Sequence, residues 1–239
     1  MNCLITGASI GIGHDVVLKL ASLNYNIYFT YLSNFNKAKE LQEEVINKYN
    51  VKCYIKKCDL SCEKDILNTI DDFKDKLGNL DVLINNASYS SDNLIIDKTK
   101  EEFMKVIDVN LVGTFLMSKY SLDIMNERGI IINMSSTDGI DTMSLYNVDY
   151  AASKAGIISL TKSFSLSFNN IRTVALAPNW VNTESTREMN QEYLKSELKR
   201  IGQDKLINID TIVNKIIHII VDKNVKSGSI IRIDGDSDE

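Results

Sequence analysis

The sequence predicts an α/β domain: a doubly wound parallel sheet of about seven strands with helices on both faces. Three observations predict it. Short apolar runs alternate with amphipathic helical stretches along the whole chain, as in consecutive strand–helix units whose strands lie parallel. A glycine-rich segment follows the first run and opens the first helical stretch, the context in which such a segment binds anions. Residues with chemical capacity recur at the ends of the runs: the glycine segment, Asp59, Asn86, Ser136 and Pro178 each follow one. In open α/β sheets, ligands bind beyond those ends.

The first strand, residues 2–6, runs into Thr6-Gly7-Ala8-Ser9-Ile10-Gly11-Ile12-Gly13, and Val16, Val17, Leu20 and Ala21 then recur at helical spacing. Gly7 permits the tight turn. Gly11 and Gly13 let backbone approach a pyrophosphate and let the helix pack close to the sheet, and the helix N-terminus offers free N–H groups to the phosphates. Ser9, Ile10 and Ile12 share this turn and join the candidate cofactor contacts. The second strand, 26–31, ends at Thr30-Tyr31-Leu32-Ser33-Asn34, where dinucleotide folds read the adenosine ribose. Tyr31 and Ser33 are the candidates there. With no carboxylate before Glu40, the cofactor leans to NADP over NAD; no Arg is present, and the nearest cation along the chain is Lys37. A helix over 36–49 follows.

The third strand, 52–56, ends at Cys58-Asp59-Leu60-Ser61, and its helix runs to Leu77 before Gly78 stops it. The strand 81–87 closes on Asn85-Asn86-Ala87, amides that either close a turn or hold a cofactor and tie neighbouring strands. Residues 100–126 carry helical periodicity with Asn110 inside it; an interior Asn is mildly unfavourable and marks a kink, a polar task or a solvent-facing position. The fifth strand, 129–134, ends at Ser135-Ser136. A loop leads to a helix from Tyr150 to 168. The sixth strand, 172–177, ends at Pro178, the only proline. A charged helical segment spans 184–206. An apolar helix over 210–221, a last strand over 229–233 and an acidic tail, 234–239, complete the chain. No composition break marks a linker, so residues 1–239 read as one domain.

Composition narrows the function. A net charge of −5 without a basic block argues against a nucleic-acid or anionic-membrane partner. No apolar run reaches the roughly 20 residues of a membrane span, and the N-terminus carries no basic leader, which reads as cytoplasmic. Cysteines 53, 58 and 62 are spaced C-x4-C-x3-C, a poor fit to zinc, and His14 and His218 are the only histidines; reduced thiols are expected and no metal site.

Tyr150 and Lys154 stand four residues apart, one turn along a single helix face. A phenol there can share a proton with a carbonyl oxygen, and a neighbouring ammonium favours the phenolate. Together with Thr6-Gly-x-x-x-Gly-x-Gly13, Asp59, Asn85-Asn86-Ala87, Asn110, Ser136 and Pro178 with Thr183 five residues on, this pair resembles the classical short-chain dehydrogenases/reductases over essentially the whole chain. Within that family it is most similar to reductases of the 3-oxoacyl-carrier-protein type and to related sugar and steroid dehydrogenases. The resemblance implies a single-domain Rossmann fold and NAD(P)(H)-dependent interconversion of a ketone and a secondary alcohol.

It also implies roles. Tyr150 is the general acid or base; Lys154 and the positive nicotinamide of the oxidised cofactor lower its pKa, and Lys154 holds the nicotinamide ribose. Ser136 binds the substrate oxygen, and Asn110 positions a water that relays protons to Lys154. Asp59 and Leu60 border the adenine, Val181 and Thr183 meet the carboxamide end, and Asn86, Ala87 and Pro178 are further cofactor contacts. Ser135 and Tyr146 are decoys, since Tyr146 has no Lys four residues on. Three positions depart from the family pattern: Ser88 and Asn179 where glycine is usual, and Ile10 where NADP-preferring members carry a basic residue. The segment 168–171 lacks the basic residue that would dock an acidic carrier protein. A homotetramer is implied, with small-molecule specificity in the loop after Asn93 and in 184–207. The competing reading is a catalytically silent NAD(P)-binding sensor or structural subunit, which would be expected to have lost Tyr150, Lys154 or Ser136.

Overall fold

The apolar runs alternate because each strand buries both faces. In the computed structural model, which describes residues 1–168 and 170–236, seven strands form one parallel sheet: β1 (Asn2–Ile5), β2 (Asn26–Tyr31), β3 (Cys53–Lys57), β4 (Leu80–Asn85), β5 (Met125–Met134), β6 (Arg172–Pro178) and β7 (Ile230–Ile233). Their order is β3-β2-β1-β4-β5-β6-β7. The chain therefore reverses its direction of winding between β1 and β4, and a crevice opens at that switch point. Asn169 and the end of the acidic tail, 237–239, lie outside the described residues.

Alternate strand residues serve two cores. Cys3, Ile5, Ile27, Phe29, Val82, Ile84, Ile130 and Ile132 face one side, where α1 (Gly11–Ser22), α2 (Phe35–Lys48) and α9 (Ile209–Val221) cover them. Leu4, Tyr28, Leu83 and Ile131 face the other, under α3 (Glu63–Leu77), α5 (Gly113–Ser121) and α6 (Val148–Ser167). This two-sided burial explains why the strands read as continuous apolar runs rather than as alternating ones.

Three expectations change in detail. The single helix over 100–126 is four pieces that end before β5: α4 (Lys100–Ile107), a π turn (Asp108–Val112), α5 and a 3-10 turn (Leu122–Ile124). Thr99 and Glu102 start it with a reciprocal capping box. Asn110 sits in the π turn at 0% exposure, so the solvent-facing reading is overturned in favour of a kink with a polar task; single π turns insert one residue and often mark functional positions. The fifth strand begins at Met125 rather than 129, because Met125 pairs with Leu80 before a register shift brings Ile130 opposite Val82. The intervening Asn126, Glu127 and Arg128 carry no apolar signal, and Arg128 takes φ 68°. The segment 184–206 breaks into α7 (Glu184–Glu188) and α8 (Gln191–Ile201), since Asn190 caps a new helix with its side chain on the N–H groups of Glu192 and Tyr193.

No helix among the described residues is long and apolar enough to cross a membrane. The four thiols are unpaired, and Cys3, Cys53 and Cys58 are buried.

Candidate active site

The glycine turn is shaped by space and by backbone sign. Gly7 and Gly11 take φ 61° and 62°, the left-handed region that favours glycine. A Cβ on Gly13 would lie 2.6 Å from Asn86 Nδ2 and 2.7 Å from Ala8 Cα, so only glycine lets α1 approach the strand ends. Helix α1 begins at Gly11 with no side-chain cap and no acidic residue in its first turn. Its leading N–H groups are therefore unclaimed by side chains, which fits a pyrophosphate.

Thr6 and Asn86 fasten this turn to β4. The Thr6 hydroxyl accepts from the backbone N–H groups of Asn86 and Ala87, both at 3.0 Å, and Asn86 Nδ2 donates to the carbonyls of Thr6 and Gly7 at 3.0 and 3.1 Å. The amides at the end of β4 thus tie strands together rather than merely closing a turn. Asn85 goes further: its Nδ2 donates to Ser118 Oγ at 2.9 Å and Asn133 Oδ1 at 2.8 Å, and Asn133 Nδ2 donates to Thr161 Oγ1 at 3.0 Å. This polar ladder runs from α5 across the ends of β4 and β5 to α6 on the same face of the sheet.

A crevice of about 400 Å³ lies above the strand ends, within the size range of small-molecule sites. It gathers Ile12, Asn86, Ser136, Tyr150, Lys154, Pro178, Val181 and Thr183 among its lining residues. Ser9, Ile10 and Gly11 instead border a neighbouring hollow of about 390 Å³ with His14, Lys37, Glu184 and Arg187. Arg187 is a cation beside the glycine turn that the chain order around the second strand does not disclose. Lys37 is paired there with Glu184 at 2.9 Å. Tyr31 ends β2 and packs on Phe35 with ring centroids 5.8 Å apart; Ser33 is exposed just beyond. Asp59 holds Ser61 by its N–H at 2.9 Å and hydroxyl at 2.7 Å, and Leu60 is buried against Gly113.

The two serines after β5 part company. Ser135 is buried and donates to the Lys154 carbonyl at 2.8 Å, so it packs the helix. Ser136 faces the crevice, and its Oγ accepts the Asp138 N–H at 3.1 Å. The Tyr150 phenol shares the crevice with the hydroxyls of Ser136 and Ser88, each of which draws its pKa down. Lys154 Nζ lies 5.2 Å from the Tyr150 ring centroid and donates to the Met134 carbonyl at 2.8 Å. Asn110 is fully engaged: its Oδ1 accepts from Tyr89 N–H at 2.7 Å, and its Nδ2 donates to the Tyr89 carbonyl at 2.8 Å and to Ser153 Oγ at 3.1 Å.

The expectation of a depressed Tyr150 pKa counts the positive nicotinamide of the oxidised cofactor beside Lys154; the chain's own groups act in the other direction. Burial is the largest influence on the phenol, followed by the nearby Asp138 carboxylate, and together they push it up to about 12 against the smaller pull of the two serine hydroxyls. Burial likewise pushes Lys154 down to about 7, opposed by Asp138. Two groups enclosed together each favour their neutral form.

This has a consequence for stability. Between about pH 7 and 10.5 the folded chain binds fewer protons at Lys154 than the unfolded chain does. The destabilising burden is therefore full below pH 7 and is relieved as pH rises toward 10.5. Lys154→Met is expected to stabilise the fold at pH 7 by on the order of 3 kcal/mol, net of the lost hydrogen bond to Met134. The gain should shrink toward pH 10. Urea unfolding midpoints across that range check it; an unchanged or lower midpoint at pH 7 would refute it.

Sequence reasoning did not single out Asp92, Asp138, Asn147, Trp180 or Tyr193, all of which line the crevice, and it treated Ser88 only as a missing glycine. Asp138 offers the one visible signal, a charged residue two places after Ser136.

A family model described as short chain dehydrogenase matches residues 1–194. The chain is 30% identical over 237 residues to the 3-oxoacyl-[acyl-carrier-protein] reductase FabG of Aquifex aeolicus (strain VF5), covering 97% of this chain and 95% of that protein. It is 31% identical over 239 residues to the protein of the same name in Staphylococcus aureus (strain Mu50 / ATCC 700699), covering 98% and 96%. Among solved structures it is similar to a short-chain dehydrogenase/reductase from Serratia marcescens BCRC 10948, with TM-score 0.91 at 24% identity over 100% of this chain and 98% of that one. It is also similar to a short chain dehydrogenase from Burkholderia cenocepacia J2315 in complex with NADP, with TM-score 0.91 at 20% identity over 98% and 96%. With the family model matching residues 1–194 and relatives at 30% identity or more over nearly the full length, the chain belongs to the short-chain dehydrogenase/reductase family of NAD(P)-dependent oxidoreductases.

Proposed function

We propose that the protein interconverts a ketone and a secondary alcohol, with NADP(H) as the preferred cofactor and Tyr150 as the proton-transfer group. The observation that carries this reading is the Tyr150 phenol facing the Ser136 hydroxyl in the switch-point crevice. The names of the curated relatives, reductases of 3-oxoacyl groups, support the reaction type. When bound, the nicotinamide supplies hydride in reduction and accepts it in oxidation.

The chain's own groups do the rest. With its pKa held high, Tyr150 is protonated at neutral pH and ready to donate to a substrate oxygen. Because Ser136 Oγ already accepts the Asp138 N–H, its proton is free to donate to the same oxygen. Lys154, one turn along α6, would hold the ribose and re-protonate Tyr150. Asn110 spends its side chain on Tyr89 and Ser153, so a water on the way to Lys154 would rest on its main-chain carbonyl. Gly7, Gly11, Gly13 and Asn86 would shape the phosphate end, with Asp59 and Leu60 at the adenine and Pro178, Val181 and Thr183 at the carboxamide.

The NADP preference is supported by the absence of a carboxylate from Tyr31 to Asn34 and by Lys37 in the first turn of α2. The Lys37–Glu184 pair is half exposed, so its disruption by a phosphate costs little. Thermal-shift and turnover measurements test both parts. At saturation NADPH is expected to raise the melting temperature by about 5 °C or more, and NADH by less. Absorbance at about 340 nm should fall with a ketone panel present, the spectral signature of cofactor oxidation. A larger shift with NADH would overturn the cofactor preference. Binding of NADPH with no turnover across a broad panel would favour the silent binder.

A further inference from the structure

We propose that the crevice selects a carbonyl substrate bearing a protonated nitrogen near the reacting carbon, with Asp138 as its principal counter-charge and Asp92 guarding the rim. The inference rests on the ketone-reductase reading and names the substrate class of that site.

Asp138 is held for this task. Thr142 Oγ1 donates to its Oδ1 and Asn147 Nδ2 donates to its Oδ2, each at 2.8 Å. An ionised carboxylate has about four lone-pair sites, so this grip fixes its direction and leaves room for an incoming N–H. The residue is half-buried, and burial pushes its pKa upward. Its charge is thus under-stabilised, and a cation beside it would restore the ionised form. A plain acyl chain would instead desolvate the carboxylate's remaining lone pairs and give them no donor, which is unfavourable.

Asp92 is exposed at the rim of the same crevice. Asp138 and Asp92 line the crevice together with Tyr150 and Tyr193, and both carboxylates raise the pKa of each phenol. The aromatic rings of Trp180 and Tyr193 also line the crevice, and aromatic faces attract cations.

The other charges nearby are already engaged. Lys154 is the only cation among the described lining residues; it is 2% exposed and bonded to the Met134 carbonyl. Arg200 on α8 is held by Glu197 at 2.8 Å and by the Thr142 carbonyl at 2.8 Å. Lys98, beside Asp92, is paired with Asp149 at 2.8 Å. The crevice therefore presents a carboxylate wall with aromatic sides, which favours a cation and repels an anion.

The test compares three ketones with NADPH: the protonated amine dimethylaminobutanone, its neutral isostere methylhexanone, and the anion levulinate. We expect kcat/KM for the amine to exceed that of the isostere by about tenfold or more, mainly through KM, with levulinate lowest. Asp138→Asn should shrink the amine-to-isostere ratio by about tenfold and Asp92→Asn by less, because rim charges are screened. If Asp138 served only to support Lys154, its loss would lower both substrates equally and leave the ratio unmoved, which would overturn the inference. Should Asp138→Asn disturb the loop, the wild-type ratio and the Asp92→Asn variant still decide. Equal kcat/KM for amine and isostere overturns the inference and leaves the reductase reading standing. No NADPH oxidation with any of the three, despite NADPH binding, overturns both.

Discussion

Tyr150→Phe is expected to lower ketone reduction by about 10²–10⁴-fold, the usual worth of a positioned general acid, while leaving the NADPH-induced thermal shift in place. The substitution removes one oxygen and keeps the ring. The hydroxyls of Ser136 and Ser88, which face the phenol, would remain to bind the substrate oxygen but could not replace the lost donor in the transition state. The direction of the pKa shift adds a second readout. A phenol held near 12 is the acid throughout the neutral range, so wild-type reduction should not require alkaline pH. Alcohol oxidation needs the phenolate and should climb as pH rises. Initial rates in both directions from pH 6 to 10 measure this. Retention of more than about a tenth of wild-type reduction by the Phe variant would remove Tyr150 from the reaction.

Lys98→Met is expected to destabilise the fold by about 3–5 kcal/mol, the cost of leaving one member of a buried ion pair alone. Lys98 and Asp149 have side-chain exposures of 3% and 0% and lie 2.8 Å apart. Lys98 also donates to the Ser91 carbonyl, and Asp149 Oδ1 accepts the Tyr150 N–H at 2.9 Å. The pair therefore clamps the 88–98 loop, which supplies Ser88 to the phenol, onto the first turn of α6. In the single variant the Asp149 carboxylate keeps only that N–H and the favourable helix N-terminus. The double variant Lys98→Met, Asp149→Asn should recover most of the loss, since no buried charge is left over. Urea denaturation of wild type, both singles and the double gives the coupling directly; a Lys98→Met effect under about 1 kcal/mol would show that the pair contributes little.

How much of this was legible beforehand depends on the range of the contact. Strand runs, the glycine turn and the Tyr150–Lys154 spacing are local patterns, and the structure reproduces them with boundaries shifted by a residue or two, except at β5, which begins four residues early. Asn110 was flagged by its poor fit to a helix interior. Only the fold reveals that a π turn buries it beneath Tyr89, because a one-residue insertion leaves no trace in apolar periodicity. The Lys98–Asp149 clamp joins residues 51 apart, and Arg187 reaches the glycine turn from a helix built far downstream. Neither has a local signature. Ser88 was visible only as a missing glycine, since the value of a hydroxyl depends on what it faces. The burial of Tyr150 is illegible for a related reason: spacing shows that an ammonium is near, but not that both groups are enclosed.

The stitching of Thr6 to Asn86 and Ala87 carries one more consequence. Four hydrogen bonds make the glycine turn and the end of β4 a single stiff jaw. The opposite wall is tied more loosely: α7 is held to α2 by the half-exposed Lys37–Glu184 pair, and the segment after α8 is held by Gln203 on the Trp180 backbone. Exposed ion pairs contribute little, so the crevice has one stiff side and one lightly fastened side.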